Sequence, residues 1–156
     1  MKFISEFNGE EFIPSHEARR TCEDEHGGYL PLPLNDKENA EYFAAFSTFA
    51  LATNMGNIYM DSPNDGNGVL LGLIDARNTG NFTTMSDEET PLYTNWNTES
   101  GEPDNGNVGP LLSTWVFEDY VIMLTTVPES TPNALGTWND FPLWAQVNVI
   151  CEADLI

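Results

Sequence analysis

Hydrophobic and polar positions along the chain change period several times, and each change marks an element. Lys2 to Phe7 alternate and predict a short first strand. Ser15 stands as an N-cap before His16-Glu17-Ala18-Arg19-Arg20-Thr21-Cys22-Glu23, a first helix that Gly27-Gly28 stops. Pro31-Leu32-Pro33-Leu34 is extended, because each proline turns its predecessor away from the helical region. It leads to Asn35, a second N-cap with Glu38 in the capping-box position. A second helix over Lys37 to Leu51 follows, with Ala40, Phe43, Ala44, Phe46 and Ala50 near helical spacing on its apolar face.

Val69-Leu70-Leu71-Gly72-Leu73-Ile74 and Tyr120-Val121-Ile122-Met123-Leu124 are compact apolar runs of the kind that form buried central strands. Val147-Asn148-Val149-Ile150-Cys151 predicts the final strand. Between Asp75 and Phe117 regular pattern fades into Asn, Thr, Ser, Gly and Pro, yet Trp96, Trp115 and Phe117 argue against plain disorder. Helices early and antiparallel strands late give an α+β fold, two helices with small antiparallel sheets and a long loop region. No internal repeat or low-complexity tract interrupts it, and 156 residues are the size of a single domain, 1–156.

Charge narrows the function. Five Lys+Arg against 25 Asp+Glu leave a net charge of −20, a field that repels phosphate backbones and anionic lipid, so nucleic acid is excluded as a partner. Such a surface favours cations, in oxygen-lined sites or as a diffuse cloud, and most of these carboxylates also serve plain solubility. No stretch approaches the roughly 20 apolar residues of a membrane span, so membrane insertion is not expected. Asp61-Ser62-Pro63-Asn64-Asp65-Gly66-Asn67-Gly68 resembles a calcium loop of the EF-hand type superficially, but Gly72 stands where the bidentate Glu belongs, and the segment reads as a surface turn.

Cys22 and Cys151 are either free thiols of a cytosolic protein or one disulfide of a secreted one. Met1-Lys2-Phe3-Ile4-Ser5-Glu6 turns acidic before an apolar segment develops, so it reads as a mature or excised start and not as a secretory signal. His16 and His26 have no Ser or Cys nucleophile placed to use them, which leaves no catalytic residue to assign and points away from an enzyme.

Three distant segments share one chemistry: Glu102-Pro103-Asp104-Asn105, Glu118-Asp119 and Trp138-Asn139-Asp140, each read as lying on or beside loops. Calcium takes six to eight oxygens at about 2.3–2.6 Å, and loops pinned by strands can converge to supply them. A cis peptide at Pro103 would turn both flanking side chains toward one point.

In this order the segments resemble the C-type lectin family. Its members carry a Glu-Pro-Asn or Gln-Pro-Asp loop, then Glu-Asp-Cys-Val, Trp-Asn-Asp and a terminal Phe-Ile-Cys-Glu. This chain offers Glu102-Pro103-Asp104, Glu118-Asp119-Tyr120-Val121, Trp138-Asn139-Asp140 and Val149-Ile150-Cys151-Glu152. Leu70-Leu71-Gly72-Leu73 matches the family's core strand, and Ala18 through Cys22 to Gly27-Gly28-Tyr29-Leu30 its first helix and turn. The resemblance implies an extracellular domain, an outer disulfide between Cys22 and Cys151, and a calcium ion held by Glu102, Asp104, Glu118, Asn139 and Asp140. The family's inner disulfide is missing, since Tyr120 and Leu143 occupy its positions, so apolar packing is expected to replace it.

In the sugar-binding members two vicinal hydroxyls of a hexose coordinate the ion, each donating to a carboxylate and accepting from an amide. The resemblance therefore implies a glycan partner, of mannose or galactose type, contacted by Glu102, Asp104, Glu118 and Asn139. Here Asp104 gives the loop two acceptors, and an ionised Asp cannot donate. Trp115 and Trp144 are candidates for stacking on the sugar and equally for core packing, whereas Trp138 reads as a buried anchor. Asn81-Phe82-Thr83 is an N-glycosylation triplet. The rival reading within the fold is a domain that binds a protein, ice or mineral surface and keeps calcium for structure alone. Weak monosaccharide binding would favour a homo-oligomer or a multidomain parent.

Overall fold

The computed structural model describes residues 2–5, 13–49, 67–77, 79–104, 119–127, 132–141 and 146–154. The apolar runs form its centre. Strands β3 (Asn67–Ile74) and β5 (Tyr120–Thr126) pair antiparallel, flanked by β4 (Thr83–Thr84) and β6 (Trp138–Phe141) in the order β4-β3-β5-β6. Side chains alternate faces along a strand. Leu70, Tyr120, Ile122 and Leu124 accordingly join Ala18, Cys22, Val149 and Cys151 in one core, while Val69, Leu71, Leu73, Val121 and Met123 join Tyr42, Phe46, Trp138 and Ile150 in another. Both faces are covered, which explains why these strands are apolar without interruption.

The chain ends are tied together. Strand β1 (Lys2–Ser5) pairs antiparallel with β8 (Ile150–Ala153), and β2 (Ile13–Pro14) pairs with β7 (Gln146–Val147). Helix α1 (Ser15–Arg20) widens into a π turn over Thr21–Glu25, and its buried Cys22 is disulfide-bonded to Cys151 of β8, 129 residues away. Gly28 permits the next contact, because a Cβ there would lie 2.4 Å from the Glu152 carbonyl oxygen. Tyr29 and Glu152 exchange both backbone hydrogen bonds at that point. Tyr120, which stands where the inner disulfide was expected, is buried in the first core, and Leu143 lies outside the described residues.

Four expectations need correction. Helix α2 (Asp36–Phe46) stops short of Leu51, because the Ser47 and Thr48 hydroxyls donate to the Phe43 and Ala45 carbonyls and close its last turn. Ala50 and Leu51 lie outside the described residues. Asn35 does cap the helix, accepting from the Glu38 amide at 2.9 Å, but Glu38 reaches back to the Leu34 amide instead of completing the box on Asn35. The buried stripe is Asn39, Tyr42 and Phe46, with Ala40 and Ala44 exposed. Burial of Asn39 is tolerated because both ends of its amide are bonded: Nδ2 donates to the Gly136 carbonyl and Oδ1 accepts from Trp138 Nε1.

The fourth correction is the final strand, which is broken at Asn148. That residue bonds β3 through its carbonyl to the Leu70 amide and through its Nδ2 to the Gly68 carbonyl, so the segments before and after it join different sheets. Trp138-Asn139-Asp140, read as lying on or beside loops, forms the body of β6.

Candidate functional site

Antiparallel pairing gathers acids at one end of the four-stranded sheet. Ile74 pairs with Tyr120 and Tyr120 with Phe141, so Asp75 just after β3, Asp119 just before β5 and Asp140 in β6 come together. The Asp75 amide donates to the Asp119 carbonyl at 2.8 Å. Asp75 itself is satisfied, accepting from the Thr79 and Gly80 amides at 2.9 and 2.6 Å, which ties the turn after β3.

The Glu-Pro-Asp loop is brought to this end by aromatic packing and backbone bonds. Trp138 is wholly buried, with Tyr93 and Trp96 edge-on to it at 5.6 and 6.0 Å. The Asn97 amide donates to the Trp138 carbonyl, and the Trp138 amide to the Asn95 carbonyl. From Asn97 a 3₁₀ turn (Thr98–Ser100) runs to Gly101, whose φ of +84° reverses the chain at little cost for a residue without Cβ. The Glu102–Pro103 peptide is cis, as the sequence suggested. The Asp104 amide then donates to Asp140 Oδ1 at 3.1 Å, which docks the loop on β6.

One oxygen from each of Glu102, Asp104 and Asp140 lies within 4.8 Å of the others; Asp140 is buried, Glu102 half-buried and Asp104 exposed. Three carboxylates so close repel one another unless protons or a cation intervene. Oxygens with this spacing are within reach of one ion whose ligand distances are about 2.4 Å. Next to Asp140, the Oδ1 of Asn139 is buried and accepts no hydrogen bond. A buried amide oxygen without a donor costs about 1–3 kcal/mol, and a cation would satisfy it.

Asp119 was not among the candidate ligands from sequence. Its Oδ1 is also buried without a donor, and its carboxyl is held above the usual range, first by burial and then by the charges of Asp75 and Asp140. An acid directly after one apolar strand and another directly before its antiparallel partner was the signal available for it. Glu118, Trp115 and Trp144 lie outside the described residues, as does most of the loop after Asn54. Asn81 is exposed between the Asp75 turn and β4.

No family model matches the sequence, and no curated protein does. Solved structures do. The mouse scavenger receptor C-type lectin carbohydrate-recognition domain aligns at a TM-score of 0.64 and 22% identity, covering 100% of this chain and 93% of that one. The cow CD23 C-type carbohydrate-recognition domain, solved in the presence of a GlcNAc2Man3 oligosaccharide, aligns at 0.61 and 23%, covering 99% and 88%. A calcium-independent type II antifreeze protein aligns at 0.57 and 18%, covering 98% and 86%. The chain has the C-type lectin-like fold.

Proposed function

We propose that the chain is a calcium-dependent lectin, a single domain that binds vicinal hydroxyls of a hexose through an ion held by Glu102, Asp104, Asn139 and Asp140, with Glu118 as a further ligand. The observation that carries this reading is the convergence of three carboxylates from two distant segments within 4.8 Å. The buried, donorless Asn139 Oδ1 in the next residue of β6 supports it.

When bound, the ion offers a positive centre to which hydroxyl oxygens can coordinate. Around it Glu102 accepts a hydrogen bond from one hydroxyl and the Asn139 amide donates one. Asp104 can only accept. One hydroxyl thus lacks an amide donor, a cost of about 1–3 kcal/mol in a dry site. The Cys22–Cys151 bridge supports an extracellular setting, and exposed Asn81 is open to glycosylation there. Weak single-site binding suits clustering, in an oligomer or a longer parent protein.

Two acceptors in the loop also favour a second reading, in which the ion stabilises the loops and the ligand is a protein, ice or mineral surface. A glycan array probed with calcium and with chelator, then eluted with free mannose and galactose, separates the two. Chelator-sensitive signal eluted by one sugar is expected, and Asp104→Asn should strengthen it by about tenfold or more. Silence in both buffers from folded, calcium-loaded protein would leave the structural-calcium reading in place.

A further inference from the structure

A second site lies among residues that none of the carboxylate cluster shares. A cavity of about 440 Å³ opens between the end of α1, the extended segment after Tyr29, the first turns of α2 and the segment from Thr84 to Tyr93. Its walls are largely apolar, with Leu30, Leu32, Pro33 and Met85 among them, and Leu34 and Leu92 stand on it 54% and 93% exposed. One exposed leucine means little, but two on the wall of one apolar cavity mark an unpartnered binding surface.

The charge of the same walls is one-sided. Glu23, Glu38, Asp87, Glu89 and Glu152 line the cavity against a single cation, Arg19, whose Nε already lies 2.6 Å from Glu23 Oε1. Glu152 is 98% buried, by its 2% exposure, and its two oxygens share the Tyr42 hydroxyl at 2.9 and 3.0 Å. A carboxylate has room for about four such bonds, so capacity remains for an incoming donor.

We propose that this cavity docks a segment of a partner protein that carries lysine or arginine between apolar side chains. The ammonium or guanidinium answers the five carboxylates, and the flanking apolar groups cover Leu34, Leu92 and the wall beneath them. A second copy of this chain fits poorly, because it would bring a net charge of −20 to walls that are already acidic. The volume suits a few side chains and not a folded surface.

Titrating isotope-labelled, disulfide-bonded protein in calcium with acetyl-Leu-Lys-Leu-Arg-Leu-amide, and following backbone amide shifts, tests this. Saturable shifts are expected at Tyr29, Leu34, Glu38, Glu89 and Leu92. Acetyl-Leu-Glu-Leu-Glu-Leu-amide and acetyl-Gly-Lys-Gly-Arg-Gly-amide should give none. Leu92→Ser combined with Glu89→Gln, both exposed positions, should weaken binding by about tenfold with the remaining spectrum unchanged. The proposal is overturned if the basic peptide shifts nothing, if either control peptide matches it, or if the shifts gather at Glu102, Asp104 and Asp119. It is equally overturned if the same amides shift with protein concentration alone, which would make a second copy the occupant. Sugar binding is not involved, so failure of the lectin reading leaves this result untouched.

Discussion

Glu152 and Asp119 are both acids with buried oxygens, both with carboxyls raised first by burial, yet their surroundings differ. Glu152 sits where the chain ends meet, among the β1–β8 pair, the disulfide and the Tyr42 hydroxyl. Asp119 sits at the sheet end that faces the Glu-Pro-Asp loop, with Asp75 and Asp140 pressing on it and Oδ1 without a donor. The protein gives the Glu152 carboxylate a donor of its own in the Tyr42 hydroxyl. It leaves Asp119 Oδ1 without one, the contrast expected if the second region receives the cation we propose.

The largest test acts on the region where the chain ends meet. Replacing Cys22 and Cys151 together with serine frees a loop of 129 residues of separation, and chain entropy predicts a loss of about 5 kcal/mol in guanidinium unfolding. A loss under about 1 kcal/mol would mean that the unfolded chain is already compact at its ends, and would weaken the contrast.

The next test acts on the region of Asp119 and Asp140. Calcium at a hundred times its dissociation constant should stabilise the protein by about 2.7 kcal/mol, or roughly 5–10 °C for a domain of this size. Asp140→Asn should remove most of that shift in a calorimetric scan, while Glu152→Gln keeps it. Equal loss in both variants would show that the cation senses overall charge and not the site.

Legibility follows the same division. The apolar strands, the Asn35 cap and the acidic loop could be read because each rests on neighbours in sequence. Asn39 could not, because what buries it is Gly136 and Trp138, nearly a hundred positions away. The break at Asn148 was hidden for the same reason, since Gly68 and Leu70 cause it. Asp119 needed the pairing of β3 with β5 before its neighbours Asp75 and Asp140 could be seen. The long-range Asn39 contact can be weighed directly. Trp138→Phe keeps the ring in the core but strands Asn39 Oδ1, at a cost of about 1–3 kcal/mol by chemical denaturation. No loss would mean that Asn39 finds water, and that Trp138 anchors the loop by packing alone.

The smallest effect concerns Glu152 itself. Burial raises its carboxyl above the ordinary value of 4.5, against the opposing hydrogen bond from Tyr42. The folded protein therefore holds this proton more tightly than the unfolded chain does. The stability tied to it is fully present below 4.5 and is lost as pH rises through the raised folded value. Glu152→Gln keeps an acceptor for Tyr42 without the charge, so the variant should gain on the parent protein as pH climbs from 4.5 toward neutrality. The difference between the two unfolding curves isolates this group from the protein's other acids. A variant that falls behind as pH rises would mean that the Tyr42 bond outweighs burial, so that Glu152 ionises more readily than a surface acid, and would leave Asp119 as the buried acid without a donor.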